Sequence, residues 1–219
     1  MFRIFVVLMT LIAGALSMSA NAVIVYSNTF TPNTATRSDV DESTFVFNKF
    51  SLSTAANVDD VQWRGFYHGS GTPPPIDAFT INFFADNAGS IGALEGTFLV
   101  GNAVNRTGTG QVFAPIPSVE FFAYESSLGA GINLSAGTHW VSIFNNTLTD
   151  LDDNWYWATN TSLPQTALVT IASGTFPVFS DYFVLSDVVS AAAVPEPGSL
   201  ALLGAAFGAF GLSRRRKNK

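Results

Sequence analysis

Through the middle of the chain, apolar and polar residues alternate in short runs, each closed by Gly, Pro, Asn, Asp or Ser. A period of two puts every second side chain on one face, which is the pattern of a half-buried β-strand. Val61, Trp63, Gly65 and Tyr67 share one face in this way, and Phe79, Ile81 and Phe83 share another. The pattern predicts strands at Val23–Ser27, Thr44–Leu52, Val58–Tyr67, Ala78–Ala85, Gly96–Gly101, Val119–Tyr124, Gly137–Asn145, Asn154–Ala158, Ala167–Ile171 and Asp181–Val188. No stretch of this body keeps a helical period. The expected fold is all-β: an antiparallel two-sheet sandwich with jelly-roll connectivity. Thr72-Pro73-Pro74-Pro75 reads as a stiff loop, since strands of the same style continue on both sides.

The two ends break the pattern. Met1-Phe2-Arg3 is followed by an apolar run from Ile4 to Leu16 and then by small residues, with Ala20 and Ala22 in an Ala-x-Ala arrangement. One positive charge, a short apolar segment and a small-residue site predict a signal helix cut after Ala22 by signal peptidase. At the other end, Ser190–Ala193 leads into Pro195-Glu196-Pro197, then a nearly unbroken apolar stretch to Leu212, then Arg214, Arg215, Arg216 and Lys217. The stretch predicts a transmembrane helix, short for a span but helped by small residues and snorkelling arginines. The basic end stays on the cytoplasmic side and retains the chain in the membrane. The domain reading is therefore a signal peptide at 1–22, a β-sandwich at 23–190, and a linker with a tail at 191–219. Within the tail, the Pro-Glu-Pro motif covers 195–197, the apolar helix 198–212 and the basic end 213–219.

Val194 to Lys219 resembles the sorting tail of PEP-CTERM proteins, exported bacterial proteins with these three features in the same order. The resemblance implies processing near Pro195, Glu196 and Pro197 by an exosortase. It further implies a Gram-negative cell making exopolysaccharide or biofilm matrix, and an inner-membrane-anchored precursor bound for the cell surface or the medium. It assigns no activity to the body. Two prolines around Glu196 fix an extended, non-helical stretch, the form a processing enzyme can bind. Segments such as Thr80–Asn87, Gly137–Ile143 and Trp155–Ala158 resemble, diffusely, uncharacterised bacterial extracellular sandwich domains.

Composition sharpens this picture. Charged residues make up only 12% of the chain, while hydrophobic residues reach 47%, enough for a substantial core. Between Val23 and Val194, Arg37, Lys49, Arg64 and Arg106 face fifteen carboxylates, a balance of −11. An acidic body repels phosphate backbones, so nucleic acid is an unfavourable partner. The chain has no cysteine, which removes thiolate metal sites and cysteine nucleophiles.

Candidate chemistry is sparse. His68 follows a strand in a Gly- and Ser-rich loop without a nucleophile elbow, and His139 precedes Trp140 within a strand. No catalytic constellation emerges, and the expected protein is not an enzyme. The alternatives are a secreted glycan hydrolase using two of Asp59, Asp60, Asp77, Asp86, Glu95, Glu120 and Glu125, or a structural adhesin or matrix subunit. Asp150, Asp152 and Asn154 place oxygen atoms at alternate positions, which suits a structural Ca²⁺. Trp155 stands where an EF-hand needs its turn glycine and Thr161 where it needs its bidentate Glu, so that motif is excluded. No other cofactor is expected. In Trp155-Tyr156-Trp157 the two indoles point the same way: aromatic stripes of this kind are more often core, and on an exposed face they offer a stacking platform for sugar rings. Gln62, Trp63 and Arg64 offer similar contacts, but Trp63 alternates with apolar neighbours and reads as core. The expected partners are signal peptidase, exosortase and exopolysaccharide.

Overall fold

The computed structural model describes residues 22–30, 33–69, 73–147, 153–161 and 165–188. Ala22–Val188 forms one compact unit. The strands are β1 (Ala22–Ser27), β2 (Ala35–Arg37), β3 (Phe45–Leu52), β4 (Ala56–His68), β5 (Phe79–Asn87), β6 (Ser90–Gly101), β7 (Asn105–Phe113), β8 (Ile116–Leu134), β9 (Gly137–Phe144), β10 (Asn154–Ala158), β11 (Ala167–Ile171), β12 (Gly174–Val178) and β13 (Phe183–Val188).

They form two antiparallel sheets. In the first, β4 is flanked on one side by β8 and then β7; on its other side lie β13, backed by β1, and β10, backed by β2. β13 covers the Asp60–Trp63 part of β4 and β10 the Gly65–His68 part, so two short strands share one edge of a long one. The second sheet runs β12-β11-β3-β9-β5-β6. The all-β, two-sheet expectation holds. The structure adds β2, β7 and β12, and extends β6 and β8 well beyond the predicted spans. The expected terminal helices fall outside the described residues.

Facing side chains of the two sheets make the core. Val61, Trp63, Tyr67, Tyr124, Trp155, Trp157, Phe183 and Leu185 come from the first sheet; Val46, Phe50, Phe79, Ile81, Phe83, Val141 and Ile143 come from the second. Both predicted faces, Val61–Tyr67 and Phe79–Phe83, are therefore inward. Trp63 and Tyr124 stack with centroids 5.5 Å apart, and Phe79 sets its edge against Trp63, Tyr124 and Trp155 at 5.2, 5.0 and 5.1 Å. The Trp155 indole lies across the β4 backbone at Gly65. A Cβ there would come within 2.6 Å of the indole and 2.5 Å of the Tyr156 carbonyl, so the position takes only glycine.

Three polar knots tie strands together inside this apolar body. Asn48, on the inner face of β3, donates to Asp181 Oδ2 at 3.0 Å and accepts the Asp181 N–H at 2.7 Å; Thr159 donates to Asp181 Oδ1 at 3.0 Å. This knot joins the second sheet to the β10–β13 junction of the first. The Tyr67 hydroxyl donates to Asp77, which also pairs with Arg106 at 3.2 Å, while the Asn145 amide donates to Tyr67. Arg106 binds the Pro74 carbonyl at 3.1 Å and so clamps the described part of the proline-rich loop. In the third knot, Asp39 collects N–H and O–H donors from Thr147 and Trp155.

Candidate functional site: the outer face of the first sheet

The alternation that buries Val61, Trp63, Gly65 and Tyr67 turns Asp60, Gln62, Arg64, Phe66 and His68 to the other side of β4. Pairing carries this stripe across the sheet. Gln62 stands opposite Glu125 of β8, Arg64 opposite Ala123, and Phe66 opposite Tyr156 of β10.

That register decides the fate of the aromatic triplet. Trp155 and Trp157 do share a face, but it is the core face, and both are 0% exposed. The sugar-platform expectation for Trp155 and Trp157 is therefore corrected: stacking on a sugar needs an open ring face, and both indoles are enclosed between the sheets. Trp157 spends its N–H on the Tyr182 carbonyl at 2.8 Å. Trp63 is enclosed in the same way. The outward member of the triplet is Tyr156, which stacks on Phe66 with centroids 5.3 Å apart and 4° between the rings.

Around this pair the outer face carries a second, smaller apolar cluster. Phe66, Phe121 and Ala158 are buried there, covered by Phe30, Ala35, Phe113, Val119 and Tyr156. Phe30 meets Phe121 edge-on at 5.1 Å, and Phe113 lies 4.8 Å from Phe66. Exposed His68 meets Tyr156 at 6.0 Å. Arg64 closes one side of the cluster. Its guanidinium lies 4.6 Å from the Phe30 ring and 5.1 Å from the Tyr182 ring, and Nη1 donates to Gln111 Oε1 at 3.1 Å. Aromatic faces attract a cation through their ring quadrupoles.

Further along the stripe the chemistry turns acidic. Burial, with the charges of Glu125 and Asp59 beside it, pushes the Asp60 carboxyl up to about 6. Of the carboxylates named from the sequence, these three lie near enough for their charges to act on one another. Asp77 is taken up by Tyr67 and Arg106. Asp86 accepts the Gly89 N–H and the Trp140 indole N–H, each at 2.9 Å, and Glu95 sits 2.8 Å from His139 Nδ1. The other ring nitrogen of His139 lies 3.0 Å from the Ser135 carbonyl. Both neighbours of that imidazole are oxygen acceptors, so it is a tether between β6 and β9.

For the calcium expectation, Asp150 and Asp152 lie outside the described residues. With its amide turned so that the nitrogen faces Asp41, Asn154 would donate to that carboxylate at 2.9 Å. Among the described residues, no group of three or more His, Asp or Glu side chains is arranged to hold a metal ion. The processing residues Ala20, Pro195, Glu196 and Pro197, and the retention residues Arg214, Arg215, Arg216 and Lys217, also lie outside them. Ala22 is the first residue of β1.

Sequence reasoning missed the Arg64 clamp as a unit. Gln62 and Arg64 were legible as neighbours of Trp63. Phe30 and Tyr182 come from segments distant in the chain, and no local pattern links them to β4.

The fold thus defines an all-β sandwich domain with one aromatic and polar outer face. Residues 193–217 match the PEP-CTERM protein-sorting motif. The chain carries that motif, which marks an exported protein targeted to exosortase processing. No curated protein and no solved structure matches the chain.

Proposed function

We propose that this protein is a non-enzymatic component of the cell surface or extracellular matrix that associates with exopolysaccharide. In this reading a signal peptide is removed after Ala22, and the tail holds the precursor in the inner membrane of a Gram-negative cell. An exosortase then cuts near Pro195-Glu196-Pro197. The observation that carries the reading is the sorting motif at 193–217, placed directly after a compact β body that ends at Val188. The connectivity supports a jelly roll. The first sheet contains the order β2-β10-β4-β8 and the second the order β3-β9-β5-β6, the two four-stranded orders of a jelly roll. Sandwiches of this kind commonly present one sheet face to extended ligands. In support of a non-enzymatic role, His139 is fully engaged with Glu95 and Ser135.

Intact-mass analysis of the protein from membrane and medium fractions of its native cell tests the processing. A species lacking residues 1–22 and everything beyond about Pro195 is expected. A species that keeps the Arg-rich tail in both fractions removes exosortase cleavage from the reading.

One observation favours a second reading, a glycan hydrolase. A carboxyl raised to about 6 beside a second carboxylate is the electrostatic arrangement of a general acid, and Asp60 with Glu125 has it. Release of reducing sugar that disappears in both Asp60→Asn and Glu125→Gln supports that reading. Turnover unchanged in either variant removes this pair from it.

A further inference from the structure

Four cations serve the body between its ends, and three have evident work. Arg37 pairs with Glu42 at 3.5 Å, Arg106 pairs with Asp77 at 3.2 Å, and Lys49 lies over the Trp140 ring, whose N–H is held by Asp86. Arg64 differs. Among the described residues no carboxylate lies within ion-pair distance of it, although the body carries fifteen of them. Its position is nonetheless fixed. Phe30 and Tyr182 pack against the guanidinium, and neutral Gln111 takes one Nη1 hydrogen. Among the described residues, the edge formed by Nε and Nη2 has no acceptor. That edge presents two parallel N–H groups, the fork that matches the two oxygens of a carboxylate. A covering role over the aromatic cluster needs only the aliphatic stem, which a Met or Leu would supply. The charge and the planar face serve the Phe30 and Tyr182 contacts; the open edge remains unexplained by packing.

We infer that Arg64, held by Phe30, Tyr182 and Gln111 on the outer face of the first sheet, binds the carboxylate of an acidic sugar, so that the matrix ligand is a uronate-bearing polysaccharide. This rests on the polysaccharide reading above and narrows it to one chemical class. A clamped guanidinium loses little freedom on binding, which offsets part of the ordering cost. Half-buried Tyr156 and exposed His68 lie next along the same face and offer apolar surface to the sugar ring. The acids of the stripe begin at Gln62's partner Glu125 and continue to Asp60, away from the fork. The body's balance of −11 opposes any polyanion at long range, as it opposes nucleic acid, so the contact at Arg64 acts at short range and needs salt that screens the more distant carboxylates.

Affinity electrophoresis of the protein purified from its native cell tests this, in gels containing polygalacturonate, the same polymer with its carboxyls reduced, or dextran. Retardation by polygalacturonate alone is expected. Arg64→Met keeps the packing stem and Arg64→Lys keeps the charge, but neither keeps the fork. Each should weaken retardation about tenfold or more at an unchanged thermal midpoint. If one variant does not fold, the other carries the test. Equal retardation of wild type and variant overturns the inference while leaving polysaccharide association standing. So does equal retardation by the carboxyl-reduced polymer. No retardation of the wild type by any of these gels, nor by the cell's own exopolysaccharide, overturns both.

Discussion

Asp39 and Trp155 are 116 residues apart in the chain, yet Oδ2 of the first accepts the backbone N–H of the second at 2.7 Å. The other oxygen of the same carboxyl accepts the Thr147 hydroxyl at 2.7 Å and the Thr147 N–H at 3.3 Å. One buried side chain thus joins the start of β10 to Thr147, beyond the end of β9. Removing it strands buried donors, each at a cost of about 1–3 kcal/mol. Asp39→Ala should lower stability by about 3 kcal/mol in urea unfolding. Asp39→Asn, which keeps one acceptor oxygen, should cost about half as much. A loss below about 0.5 kcal/mol for the alanine variant would show that the network is not holding β10.

The acid groups also give the domain an unusual pH profile. Burial raises the carboxyls of Asp39 and Asp60 to about 6, that of Asp77 above its usual range, and that of Asp181 well above it, from an ordinary 3.8. A raised folded-state value means the folded form holds its proton more tightly than the unfolded chain. That contribution is complete below about pH 3.8 and is lost as pH rises through about 6. For fully buried Asp39 it reaches about 3 kcal/mol at most, and for half-exposed Asp60 solvent screening makes it much smaller. Asp86 moves the other way, lowered chiefly by the Gly89 N–H, so its contribution is lost only as pH falls below the ordinary carboxylate range. The thermal midpoint should therefore be higher at pH 5 than at pH 7.5. Asp39→Asn should flatten the difference. A midpoint that rises from pH 5 to 7.5 contradicts the assignment.

Gly65→Ala should be among the most damaging single changes in the body. The added methyl would meet the Tyr156 carbonyl at 2.5 Å and the Trp155 ring at 2.6 Å, and neither neighbour has space to retreat. A cost of about 3 kcal/mol or more is expected, seen as loss of soluble protein or a large drop in thermal midpoint. Gly89→Ala is the contrasting control. Its Cβ meets nothing within 4 Å, and only its left-handed φ of 87° opposes the change.

Trp155→Ala and Trp157→Ala should each cost about 3–5 kcal/mol, because each opens a cavity in the main core. Tyr156→Ala, on the opposite face of the same strand, should cost less, since its ring is only half-buried. Chemical denaturation of the three variants checks the order. A folded, fully stable Trp155→Ala, Trp157→Ala double variant would restore the sugar-platform expectation for those indoles.

Much of the sandwich was legible in the sequence because burial writes itself as alternation. β4 shows this best, with Val61, Trp63, Gly65 and Tyr67 on the inner face and polar residues between them. The strands that sequence reasoning missed are edge elements. β7 closes one side of the first sheet, β12 one side of the second, and β2 lies outside β10. β7 is rich in Gly and Thr, and β12 contains Pro177, which an edge tolerates because one row of its backbone groups has no strand partner. Strands that bury little leave little pattern. The error over Trp155 and Trp157 has a different origin. Period two correctly set them on one face, but which face meets the second sheet depends on the pairing of β10 with β4. That register is fixed by Gly65, Asp39 and the Asp181 knot, all remote in sequence from the triplet.

The first and last strands of the body are neighbours, with Ala22 opposite Val188 in the β1–β13 pair. The chain thus enters and leaves the sandwich at one corner, across a separation of about 5 Å. In the proposed precursor, held at both ends, that corner would act as a single swivel. A pull on either end of the body would enter at this β1–β13 pair. Cutting one flank leaves the other holding the same point, so a half-processed molecule keeps the same point of suspension as the uncut one.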